Sequence, residues 1–324
     1  MAMTGWNDRI LAKAVDAPLS IPAGDLAGML STADSSAWEE AFAAAREVKR
    51  RVGRDRTLPR GLIECSNVCA KGCLYCGIRK SAPGVRRYRL SVDEVLACVD
   101  EARRRGYRAI ALQAGELEGE ANAAFYERIL RAVAGEFEVT LSLGEQEEAV
   151  YRRWKDAGAM RYLIRIETSR RDLYARLHPA DCSFDRRVAC IRTLKRLGYV
   201  TGTGVMIGLP GQTAEDLARD LVFFGEERVD MVGMGPFIPH PATPLAAAAV
   251  PDAATRLELA LRMIALARLY LHDVNIVAAT ALEALDPANG RARGLAAGAN
   301  VIMPNVTPPD VRRGYDLYPG KAEA

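Results

Sequence analysis

The chain has 324 residues, of which 49% are hydrophobic and 26% charged. That composition supplies a full core and excludes a disordered tail, a collagen-like repeat, a coiled coil and a disulfide-stapled miniprotein. The 44 Lys and Arg against 41 Asp and Glu leave +3, too little for a broad field that draws nucleic acid or a charged membrane.

Residues 1–58 read as an N-terminal helical extension. Its opening, MAMTGWNDRI, has no basic segment followed by an apolar one, so the expected location is the cytoplasm. Ser36 with Glu39 has the spacing of a capping box at the start of WEEAFAAAREVKRRVG. The basic end of that helix (Lys49, Arg50, Arg51) is expected to be a solvated face, favourable near a helix C-terminus.

Residues 59–324 alternate strand and helix. Eight short apolar runs read as strands: Leu62–Glu64, Ala109–Gln113, Val139–Leu143, Tyr162–Glu167, Val200–Ile207, Met231–Gly235, Asn275–Ala279 and Val301–Met303. Amphipathic segments lie between them, two opened by Ser91 with Glu94 and Thr213 with Asp216. Gly106, Gly158, Gly198 and Gly298 stand where helices end and permit a left-handed terminal residue. The expected fold is α/β, a (β/α)8 TIM-type barrel with function on the loops after the strands. No run reaches the roughly 18 apolar residues that span a bilayer.

Four of the seven cysteines, Cys65, Cys69, Cys73 and Cys76, fall within twelve residues. Disulfides are poor candidates in a reducing compartment, so the crowding points to a metal or cluster. Cys69, Cys73 and Cys76 have the spacing C-x3-C-x2-C directly after the first expected strand. Three thiolates on one loop suit a 4Fe–4S cluster with one iron open to substrate. Structural zinc, or a closed cluster using Cys65 as fourth ligand, are the alternatives. Cys98, Cys182 and Cys190 read as packing cysteines.

The C-x3-C-x2-C loop, with Tyr75 before the last cysteine, resembles the signature of the radical S-adenosylmethionine (SAM) enzymes. Ile63-Glu64, Ser66-Asn67, Cys73-Leu-Tyr-Cys76-Gly-Ile-Arg79, Gly208-Leu-Pro-Gly-Gln-Thr213, Gly235-Pro-Phe-Ile-Pro-His-Pro241 and Tyr318-Pro-Gly-Lys321 resemble the HydE family of [FeFe]-hydrogenase maturases. That family belongs to the biotin-synthase-like branch, and the resemblance spans roughly residues 30–321.

The resemblance implies an oxygen-sensitive enzyme that cleaves SAM reductively to a 5′-deoxyadenosyl radical. It implies a [4Fe–4S] cluster on Cys69, Cys73 and Cys76. SAM would be held by Tyr75, Gln113, Gly115, Glu116, Ser142, Glu167 and Arg187. An arginine suits a carboxylate and an acid suits an ammonium or hydroxyl. The substrate would be a small organometallic complex, a cysteine-bound iron carbonyl–cyanide precursor, met by Thr280, Met231, Met303 and His240. Partners would be a flavodoxin or ferredoxin and the other hydrogenase maturases, with no nucleic acid and no membrane.

Four positions depart from the family pattern. Ile166 replaces a histidine, Ala279 replaces the first of two threonines, Ala114 replaces a serine, and Leu117 follows Glu116 where an aspartate is usual. These changes keep open a paralogue with another substrate, such as an amino-acid rearrangement of the methylornithine-synthase kind. A non-catalytic electron carrier using Cys65 is the third reading.

Overall fold

The computed structural model describes residues 8–321. Eight parallel strands form its centre: β1 (Gly61–Ser66), β2 (Ala109–Ala114), β3 (Glu138–Ser142), β4 (Ala159–Leu163), β5 (Val200–Thr203), β6 (Met231–Val232), β7 (Asn275–Ile276) and β8 (Val301–Ile302). The first seven are hydrogen-bonded in the order β7-β6-β5-β4-β3-β2-β1. The eighth closes the ring. On one side Ala278 N–H donates to Val301 O at 2.9 Å; on the other, Leu58–Pro59 pairs in parallel with Val301–Ile302, and Leu62 N–H donates to Pro304 O at 2.8 Å. Every residue of β1 is buried, as expected of a strand covered on both faces.

Local chemistry sets several helix ends. Ser91 and Glu94 form a reciprocal capping box on α4 (Val92–Arg104), and Thr213 and Asp216 do so on α9 (Ala214–Glu226). Gly106, Gly158, Gly198 and Gly298 have φ of +74°, +113°, +74° and +137°, each just past a helix. The start of α3 (Ser35–Arg51) differs from expectation. Asp34, not Ser36, is its N-cap, and its carboxylate accepts from the Ser36 and Ala37 N–H groups. A carboxylate at that position satisfies two free donors at once, which leaves the serine inside the first turn.

Helices α2 (Ala23–Ser31) and α3 pack on the barrel's outer layer. α2 lies against α9, and α3 against α10 (Ala253–Leu271) and α12 (Gly290–Ala297). Leu26, Met29, Trp38, Ala41 and Val48 join the same apolar core as the barrel, each large side chain contributing on the order of 2 kcal/mol by burial. The basic end of α3 is engaged by its own molecule. Lys49 donates to Leu295 O at 2.9 Å, and Arg50 and Arg51 pair with Glu47.

Most of the expected strands end before their apolar runs, and three of these breaks shape the site. β4 ends at Leu163 rather than Glu167. β5 ends at Thr203, and Met206–Ile207 instead pairs with Gly235–Pro236 in a separate ladder. A Cβ at Gly204 would strike the Gly233 carbonyl, so the two chains approach closely where the strands break. β7 ends at Ile276, and Thr280 opens the short helix α11 (Thr280–Leu285), with Ala279 as its N-cap.

Candidate active site

The strand ends enclose a cavity of about 320 Å³ inside the barrel mouth. Cys69, Cys73 and Cys76, on the loop after β1, are partly exposed and line it. Backbone N–H groups of Lys71 and Glu116 lie 3.4 and 3.3 Å from Cys69 Sγ. Burial raises all three thiols, Cys76 to about 12. Positive metal charge is what converts such thiols to thiolates. Gly115 at the end of β2 lets the loop close, since a Cβ there would strike the Val68 carbonyl.

Cys65 is apart from this group. It lies in β1, fully buried in the apolar core, and does not line the cavity. The fourth-ligand reading therefore lacks its side chain at the site. Nor do any three His, Cys, Asp or Glu side chains among the described residues converge on a single metal ion. Thiols spread along one wall suit a polynuclear cluster, in which each takes its own iron.

Behind the cysteine loop lie four largely buried charges, with the more exposed Arg186 also 3.4 Å from Glu145. Glu116, after β2, is 3.2 Å from Lys71 and 3.4 Å from Arg187. Glu145, after β3, is 2.8 Å from Arg187 and 3.4 Å from Lys71. Glu145 is the most deeply buried of the four, at 1% side-chain exposure. Burial pushes the Glu116 carboxyl up, against the pull of Arg187 and Lys71. Burial opposes the Arg187 charge, but Glu116 and Glu145 more than offset it, so the guanidinium stays charged. Gly144, at φ +76°, leaves the space that the Glu116 side chain fills.

Glu167 sits past the end of β4 with φ +65°, a left-handed conformation rare for a non-glycine residue. Its surroundings impose it. Glu167 N–H donates to Gly204 O at 3.0 Å, and Met206 N–H to Glu167 O at 3.1 Å. Arg165 grips the carboxylate through Nε and Nη2, both at 2.9 Å. Two residues on, Asp220 of α9 takes the Ser169 N–H at 2.6 Å and its hydroxyl at 2.7 Å.

Gln113, Gly115, Glu116, Ser142, Glu167, Arg187 and Tyr75 all line the cavity, as do Thr280, Met231 and Met303. The Tyr75 hydroxyl is held 3.2 Å from His178 Nε2, and His178 stacks on Tyr174. His240 is not a lining residue. It pairs with Asp316 at 3.1 Å, accepts from Ala242 N–H and packs over Gly77. Its imidazole organises a loop, so its expected substrate contact has no support. Ile166 also faces away, fully buried in the core. Replacing a histidine there leaves the cavity wall unchanged.

Sequence reasoning missed five lining or supporting residues. Lys71 lay unread between cysteines. Glu145 follows a strand end, and Arg165 is two residues from Glu167, positions that barrel logic could have flagged. Tyr318 and Lys321 belong to a C-terminal segment that forms part of the wall. The Tyr318 and Thr280 hydroxyls are 2.5 Å apart, and Lys321 reaches the buried Glu64. A second hollow, lined by Leu30, Leu217, Glu258 and Arg262 on the outer face, holds no thiol or imidazole.

The family model of the radical SAM superfamily matches residues 63–224. HydE, the [FeFe] hydrogenase maturase subunit of Thermotoga maritima, is 45% identical over 297 residues, covering 90% of this chain and 82% of that protein. The chain belongs to the radical SAM superfamily, in its HydE family. As a radical SAM enzyme, its cofactors are a [4Fe–4S] cluster and SAM. The 3-methylornithine synthase of Methanosarcina barkeri is 27% identical, covering 88% of this chain and 79% of that one. The crystal structure of methylornithine synthase has a TM-score of 0.79 at 24% identity over 91% of this chain and 85% of its own. That likeness supports the radical SAM barrel as the fold. Among the described residues no helix is long and apolar enough to cross a membrane.

Proposed function

We propose that this enzyme acts in assembly of the [FeFe]-hydrogenase diiron cofactor. Its substrate is a cysteine-bound iron carbonyl–cyanide complex, and the reaction occurs at sulfur. The observation that carries the reading is one cavity lined together by three thiols, by the charged Lys71, Glu116 and Arg187, and by Met231, Met303 and the Thr280 hydroxyl.

Cys69, Cys73 and Cys76 are the cluster ligands, and a reduced cluster bound there supplies the electron that splits SAM. The chain's own groups do the positioning. Arg187 offers two N–H donors to the methionine carboxylate, and Glu116 accepts from the ammonium. Glu167, Ser142 and Gln113 provide acceptors and donors for the ribose and the amino end. Tyr75, within the cysteine loop, is held by His178 and lines the cavity. The apolar wall excludes water and limits quenching of a radical. Thr280, Met231 and Met303 meet the substrate. The reductant is a flavodoxin or ferredoxin, and the other maturases and apo-hydrogenase are the functional partners, in the cytoplasm.

The test is activation of apo-[FeFe]-hydrogenase in an anaerobic mixture with this chain as the sole source of the activity. Hydrogen production is expected with the cluster-loaded chain and not with Cys76→Ala. A loaded sample that cleaves SAM but yields no active hydrogenase would sink the maturase reading. It would favour an amino-acid rearrangement, for which the Ala279 substitution in the cavity wall is the supporting observation.

A further inference from the structure

A reductively cleaved cosubstrate needs an electron from outside the molecule. The surface over the cysteine loop has an unusual charge. From Cys65 to Val92 the sequence has six basic residues and no acidic one, in a chain whose total charge is +3. Many surface arginines elsewhere are paired, as in Arg103–Glu136, Arg153–Glu120 and Arg192–Glu227, while others, such as Arg128 and Arg219, are exposed with no ion pair among the described residues. Lys80, Arg86 and Arg313 are exposed and make no ion pair among the described residues.

Tertiary contacts gather these three on one face. Asn67 Nδ2 donates to both Arg86 O at 2.9 Å and Gly314 O at 2.7 Å, joining the two segments. Arg87 donates to the Asn67, Ile78 and Arg79 carbonyls, which draws in residues 78–80. Of the carboxylates near in sequence, Glu94 is engaged in its cap and Asp316 with His240, while Asp93 and Asp310 are exposed and make no ion pair among the described residues. The face is also the outer skin of the cysteine loop. Lys80 N–H donates to Lys71 O at 2.7 Å, and Lys80 is four residues from Cys76.

We propose that the face formed by Lys80, Arg86 and Arg313 is the docking surface for a small acidic one-electron carrier protein. One electron leaves the carrier's reduced centre and reduces the cluster by one; no covalent bond forms or breaks. Unpaired cations at a rim steer an acidic partner and set its association rate. The proposal rests on the reading that this loop holds a cluster.

The experiment follows cluster reduction in a stopped-flow instrument, with flavodoxin hydroquinone as the probe and dithionite as a small reductant. For the wild-type holoenzyme the flavodoxin rate should fall steeply with added salt. The Lys80→Glu, Arg86→Glu, Arg313→Glu triple variant should react roughly tenfold or more slowly at low salt. Its reduction by dithionite, and SAM cleavage driven by dithionite, should match wild type. If cluster loading drops in that variant, the corresponding triple Gln variant is expected to show the same selective loss, smaller in size. Wild-type flavodoxin rates in either loaded variant would overturn the proposal. Failure to activate hydrogenase would not affect this readout, so the two proposals fail separately. A chain that takes up no cluster would overturn both.

Discussion

The two halves of the barrel are built differently. β1 to β4 have six, six, five and five residues. β5 to β8 have four, two, two and two. The long-stranded half carries the thiols and the charged residues Glu116, Glu145, Arg165 and Glu167 just beyond its strand ends. The short-stranded half gives the cavity Met231, Val277, Thr280 and Met303, and the C-terminal segment around Tyr318 completes the wall. Charges buried in a low-dielectric site are costly unless their geometry is held, so they sit where the ladder is longest. Apolar contact tolerates looser support, and this half can vary with the substrate.

Removing a charge from the rigid half should have the largest effect. Arg187→Met leaves Glu116 and Glu145 together with Lys71 as their main partner. It should cost about 2–4 kcal/mol of stability and raise the KM for SAM at least tenfold, with a smaller fall in kcat. Thermal melts and SAM-cleavage kinetics would check this. Equal KM values would mean that Arg187 is a structural ion pair only.

A change in the short-stranded half should be milder and selective. Tyr318→Phe removes the partner of the Thr280 hydroxyl, an interaction worth about 1 kcal/mol. SAM cleavage without substrate should stay within about twofold, while coupled product formation falls roughly fivefold. A matching loss in both assays would erase the division between the halves.

The smallest effect concerns the support behind Glu167. Burial raises the Asp220 carboxyl to about 7, from 3.8, despite its bonds from Ser169. Its folded value lies above the unfolded one. The unfolded chain therefore releases the proton first, and this contribution to stability is full below about pH 4 and lost as pH rises to about 7. Asp220→Asn, uncharged throughout, should lack that slope. Urea midpoints at pH 5.5 and 8 would show the variant gaining on wild type at the higher pH. Parallel curves would mean that Asp220 does not titrate in this range.

The fold class was legible because strand–helix alternation, helix caps and terminal glycines are each read within a few residues. Strand lengths were not. The run Tyr162–Glu167 is apolar enough to continue as a strand, yet the chain leaves the sheet at Leu163 so that Glu167 can turn inward. The cluster cysteines were expected from their spacing and the SAM residues from the family resemblance, and all of them line one cavity. Ile166 and His240 were misplaced because residue type says nothing of direction. Ile166 lies beside Glu167 in sequence but faces the core, and His240 finds Asp316 before it can reach the cavity.

What the sequence alone determined about this protein is therefore local: the cysteine spacing, the caps on α4 and α9, and the alternation that demands a parallel barrel. These depend on neighbours within about one helical turn or one strand. Only the tertiary structure decided which charges meet. Arg187 and Glu116 are 71 residues apart, His240 and Asp316 are 76 apart, and Glu64 and Lys321 are 257 apart. Such pairs form when closure of the ring brings distant loops to one mouth, where burial makes an unpaired charge too costly to keep.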